Sequence, residues 1–180
     1  MGMDVYGTNP VIRREPANVE ANDILKHVGE DFDDDWYEKW SALSDKDKDK
    51  YSDVRQQHEE DNPGIYFRNN VWWWRPLWDY VWKLCGDCDE GDNFALAADR
   101  VITREQYEEG HHNSGAEINV HQAELIALRL NHAIKMGWVD EHKKQYEADT
   151  KDDEHQYPFH EDNVKAFADF CHDSGGFSIQ

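Results

Sequence analysis

Between Ile65 and Trp82 the chain reads Ile-Tyr-Phe-Arg-Asn-Asn-Val-Trp-Trp-Trp-Arg-Pro-Leu-Trp-Asp-Tyr-Val-Trp, and five of its eight tryptophans fall there. A ring of this kind removes about 150–250 Å² from water when covered, so the segment demands a core around it. Pro76 is expected at or near a helix start, because an interior proline costs about 3 kcal/mol. Residues 65–74 are therefore expected to be extended or turning, and 76–85 a buried helix. Rings on every face of that helix require cover all round.

The remainder is acidic. The 180 residues carry 39 Asp and Glu against 19 Lys and Arg, a formal net charge of -20. Residues 11–62 hold 16 acids and 8 bases, 86–117 hold 9 and 2, and 139–162 hold 9 and 3. By contrast, 63–85 sets Arg68, Arg75 and Lys83 against Asp79 alone, and 118–138 sets Arg129 and Lys135 against Glu124. The acid is peripheral, and the apolar segments are neutral to basic. Such a balance disfavours direct nucleic-acid binding and attraction to an anionic membrane. Beyond plain solubility, it favours cationic partners and can imitate a nucleic-acid backbone. High charge with low hydropathy warns of disorder. The aromatic content of 13% argues instead for a folded core in an acidic coat.

The length suits one domain with a real core. No 18-residue apolar run is present to span a bilayer, and Met1 to Pro10 lacks the features of a secretory signal. Three cysteines, Cys85, Cys88 and Cys171, suit a reducing compartment, so a cytoplasmic location is expected.

Apolar spacing places helices near 20–28, 33–43, 46–60, 76–85, 120–136 and 163–173, with a shorter one near 141–149. Phe32, Trp36, Trp40 and Leu43 follow helical spacing as one docking stripe, and Asp45 to Lys50 reads as a solvated helix start. Asn119 with Gln122 resembles a capping box, followed by the stripe Ala123, Ile126, Ala127, Leu130, Ala133 and Ile134 and a stop at Gly137. The expected fold class is predominantly helical α+β: one domain over 1–180, with an aromatic-rich core and 11–62 as an acidic helical insertion. Any sheet is small, drawn from 65–74 and 176–180.

Several pieces together resemble a family of uncharacterised bacterial and phage proteins. They are Met3-Asp4-Val5-Tyr6-Gly7 with Asn9-Pro10, the run Tyr66 to Leu77, Tyr157-Pro158-Phe159 with Asn163-Val164, and Ser174-Gly175-Gly176-Phe177. Gly110 to Gly115 looks like a degenerate form of that family's glycine-rich loop. The chain departs from the pattern by its acidic insertion at 11–62 and by lacking Cys-x-x-Cys-Gly-Thr-Gly knuckles, so no zinc role is carried over. The resemblance implies phage or mobile-element origin and brings no activity with it.

Arg68, Asn69, Asn70, Trp72, Trp74 and Arg75 are the ligand-binding candidates. Guanidinium groups fork onto phosphate or carboxylate, Asn reads hydrogen-bonding edges, and Trp faces stack on planar bases. The alternative is that Trp72 to Trp74 are core and the arginines are salt-bridged. His111, His112 and His121, beside Glu108 and Glu109, are weaker metal candidates, against a simple polar loop. Cys85-Gly86-Asp87-Cys88 supplies half a tetrahedral site that Cys171-His172 could complete, against buried, idle thiols. No HExxH, GxGxxG, Walker or GxSxG pattern occurs, so catalysis is not called for and no cofactor is expected.

The leading expectation is a non-enzymatic, phage-type protein that captures a small anionic, nucleotide-like ligand to counter host defence signalling. A second is an acidic inhibitor imitating nucleic acid against a basic host protein. A third is a metal-dependent hydrolase. Homo-oligomerisation is compatible with so many rings in need of cover.

Overall fold

The computed structural model describes residues 2–15, 36–86, 100–112, 114–151 and 157–180. The described chain divides into two compact units, one of residues 1–11 with 63–180 and the other Ile12–Asn62. Among the described residues there are four strands and seven helices, an α+β fold that is mainly helical.

In the larger unit, β1 (Gly2–Gly7), β2 (Tyr66–Asn70), β3 (Glu117–Ile118) and β4 (Phe177–Ile179) form one antiparallel sheet in the order β2-β1-β4-β3. Side chains alternate across a strand. Met3, Val5, Phe67, Asn69, Ile118, Phe177 and Ile179 are accordingly buried on one face. Asp4, Tyr6, Tyr66, Arg68 and Asn70 share the other, with Asp4 opposite Arg68 and Tyr6 opposite Tyr66. β1, one of the two inner strands, lies outside the 65–74 and 176–180 segments from which a sheet is expected.

The helices of this unit are α3 (Val71–Cys85), α4 (Arg104–His112), α5 (Val120–Met136), α6 (Trp138–Thr150) and α7 (Glu161–Asp173). α7 packs most extensively on α5 and also touches α3 and β2. Phe167 and Phe170 of α7 stack on each other and meet Phe67 and Phe177 of the sheet. α5 begins at a complete Asn119–Gln122 capping box and ends at Gly137 with φ 75°. Both features match the sequence reading.

α3 begins five residues before Pro76, contrary to the expected start. Asn70 ends β2 and caps the helix in one step, its side chain accepting from the Trp73 N–H at 2.9 Å. Pro76 then lies inside the helix and leaves the Trp72 carbonyl without its intrahelical donor. Burial of Trp74, Pro76, Leu77, Trp78, Tyr80, Val81 and Leu84 offsets that cost. No helix is expected from the sequence over 104–112, yet this segment, which holds the candidates His111 and His112, is helical. Gly110 is the reason α4 can sit there, since a Cβ would stand 2.9 Å from the Trp78 indole and 2.8 Å from Ile179.

In the smaller unit, α1 (Trp36–Ala42) and α2 (Asp45–Asp61) are joined by Ser44, whose hydroxyl accepts from the Asp47 N–H. Trp40 meets Tyr51 edge-on at 5.1 Å. Asn62 is fully buried and accepts from the N–H groups of Arg13 and Arg14 while donating to the carbonyls of Arg14 and His58. One side chain thus fastens the start of this unit to its end. The helix expected at 20–28 lies outside the described residues, as does Phe32.

His142 of α6 stacks on Tyr80 at 4.5 Å and meets Phe159 edge-on. Its Nδ1 and the Tyr80 hydroxyl are both buried without a hydrogen-bond partner among the described residues. Burial, reinforced by Lys83 and opposed by Asp79, lowers its pKa from 6.5 to about 4. Above pH 6.5 the ring is neutral whether the chain is folded or not. Between 6.5 and 4 only the unfolded chain takes up the proton, so stability is lost as pH falls through that window. Thermal unfolding from pH 7 to 4.5 should show Tm falling, and His142→Phe should flatten part of the fall. Superimposable profiles for the two proteins would contradict this.

Candidate functional site

The strand-to-helix junction at Asn70 brings Arg68, Asn69, Asn70 and Trp73 of the central run to one place. A hollow of about 430 Å³ opens there, lined by Gly2, Arg68, Asn69, Asn70 and Trp73. Register sets Arg68 against Asp4, and their closest approach is 3.8 Å. Asp4 also accepts a short hydrogen bond from the Tyr66 hydroxyl, whose pKa is raised by burial and by that carboxylate. The Arg68 side chain remains 72% exposed, and at this distance and exposure such a pair contributes little. Its guanidinium remains reachable from the hollow.

The walls are held from behind. Asn69 donates to Asn163 of α7 at 2.8 Å, and Asn163 donates to the Trp73 carbonyl. Asn70 is committed to its cap. The first turn of α3 leaves the Val71 and Trp72 N–H groups without intrahelical acceptors, and the helix dipole favours negative charge at this end.

Arg75 takes no part in that hollow. It donates to the Tyr157 hydroxyl at 3.2 Å with its guanidinium 5.8 Å from the Tyr157 ring centre. Its Nε is buried without an acceptor, and among the described residues no carboxylate lies within ion-pair distance of it. Trp72, half-exposed, meets the same Tyr157 edge-on at 5.0 Å. Trp73, also half-exposed, meets His160 at 5.3 Å.

Trp74 corrects the sequence reading. It is fully buried, stacked on Trp78 at 5.3 Å, and its indole N–H donates to the Gly110 carbonyl at 2.9 Å. A side chain so placed is core and cannot meet a ligand. The exposed ring on the hollow is its neighbour Trp73, absent from the candidates named above. Gly2, Tyr157, His160 and Asn163 were missed as well. Tyr157 and Asn163 lie in the C-terminal pieces of the resemblance, which was the available signal.

The structure sets the rings of His111 and His112 5.6 Å apart and leaves His121 on a different helix. His111 lies 3.3 Å from Asp79, His112 bonds the Glu108 carbonyl of its own helix, and His121 is exposed on α5. Among the described residues no three His, Cys, Asp or Glu side chains converge. Cys85 and Cys171 are buried, and burial pushes the Cys171 thiol up; Cys88 lies outside the described residues. No described helix is long and apolar enough to cross a membrane.

No family profile matches the sequence, and comparison with curated proteins and with solved structures finds no similar chain.

Proposed function

We propose that this protein is a non-enzymatic binder of a small anionic ligand carrying a planar group, of nucleotide type, held at the β2–α3 junction. The observation that carries the reading is the hollow in which Arg68, the Asn70-capped helix start and the exposed face of Trp73 converge. Arg68 supplies a charged fork for phosphate, Trp73 a stacking surface, and the open first turn of α3 a favourable potential. Its volume falls within the roughly 300–1,000 Å³ of small-molecule sites. A role in countering host defence signalling, in a phage or mobile-element setting, rests on the family resemblance alone.

Calorimetry against AMP, cyclic nucleotides and ADP-ribose tests the reading. At least one should bind, and Arg68→Ala should weaken it about 10- to 100-fold, as expected for a charge-assisted phosphate contact. Trp73→Ala should weaken it by a similar factor through lost stacking. Silence across the whole panel would remove the proposal.

The contact-inhibitor reading draws less from the structure. In α2, Lys46, Lys48 and Lys50 alternate with Asp45, Asp47 and Asp49, so this exposed helix offers mixed charge rather than a continuous run of acid.

A further inference from the structure

A second hollow of about 450 Å³ is lined by Lys143, Glu147, Lys151, Pro158, Phe159 and His160. It adjoins the first through one contact: Trp73 lines the first, His160 lines the second, and their rings meet edge-on at 5.3 Å. A pair of aromatic rings therefore stands between two cation-bearing hollows, with Arg68 on one side and Lys143 and Lys151 on the other. Glu147 approaches Lys143 only at 4.0 Å, and Lys151 is exposed, so the second hollow carries more positive than negative charge. In a chain of net charge -20 that balance is unusual, and it occurs on both sides of the same ring pair.

We infer that the ligand is a dinucleotide, one phosphate-bearing half at Arg68 and the other at Lys143 and Lys151, lying across Trp73 and His160. This rests on the proposed function and adds to it. Each hollow has the volume of a single small-ligand site and a cation suited to one phosphate. A mononucleotide engages one hollow only. Joining two halves turns the second contact into an intramolecular event, so affinity rises without any new residue being required.

Calorimetry with AMP and with the linear dinucleotide pApA distinguishes the possibilities. pApA should bind one per chain and at least about tenfold more tightly than AMP. The double variant Lys143→Ala/Lys151→Ala should lose most of that advantage while its affinity for AMP stays within about twofold. Arg68→Ala should weaken both. If AMP and pApA bind equally, or the lysine variant binds pApA as the parent does, the two-hollow inference fails while nucleotide capture at Arg68 stands. If neither binds, both fail. Lys143 is partly exposed on α6 and Lys151 is exposed just past its end, so their removal tests binding and not folding.

Discussion

Trp74→Ala should destabilise the larger unit by about 4 kcal/mol, within the range for emptying a buried tryptophan site. The ring is wholly covered, stacked on Trp78 and perpendicular to Phe167 at 5.6 Å, and its N–H holds the Gly110 carbonyl of α4. Truncation would open a cavity where α3, α4 and α7 meet and leave that carbonyl without its donor. Thermal unfolding should show Tm lower by roughly 8–16 °C. Trp73→Ala, one residue away, should cost less than about 1 kcal/mol because its ring is half in solvent already. Similar losses from the two substitutions would show that the assignment of core and surface rings is wrong.

The second large effect is expected at Gly175. Its φ of 61° lies in the left-handed region, and a Cβ there would stand 2.1 Å from the Asn9 carbonyl oxygen. That oxygen belongs to a backbone tied down on both sides, since Thr8 donates to the Gly176 carbonyl and Asn9 to the Ser174 carbonyl. Nothing flexible can give way, so either β1 or the α7–β4 turn must shift. Gly175→Ala should cost about 3 kcal/mol or more, the sum of conformational strain and overpacking. Gly137→Ala provides the contrast. Its φ of 75° carries the same strain, but no atom lies within 4 Å of its Cβ position, so its cost should stay near 1 kcal/mol. Urea titration of the two variants separates clash from strain; equal losses would eliminate the clash.

Much of the helical framework was legible because its signals are local. Asn119 and Gln122 satisfy each other's backbone groups within one turn, and Gly137 ends the helix by its own conformational freedom. The start of α3 differs from the expected one because the Asn70 cap fixes it five residues before Pro76, and burial of the helix offsets the proline's cost. Three consecutive tryptophans look alike in sequence, and which faces inward depends on where the helix begins. With the origin at Val71, Trp74, Leu77, Trp78 and Val81 fall on one face, which leaves Trp73 outside. β1 escaped notice because only Met3 and Val5 alternate inward, and its partners are remote in sequence. The hollows were illegible for the same reason. Asn163 and His160 reach Trp73 only through tertiary packing of α7 and the segment before it.

The placement of β1 between β2 and β4 also governs how fast this protein can assemble. Its hydrogen-bonding edges are filled by residues 66–70 on one side and 177–179 on the other, so neither ladder is local. The first must close across the 12–62 excursion, the second across nearly the whole polypeptide. Loop-closure entropy rises slowly with length, by about 0.6 kcal/mol per doubling, yet it is owed before any rung forms. Helices α5 and α7 can form early from neighbouring residues, while the ladder joining the chain's two extremities forms late and sets a slow overall rate.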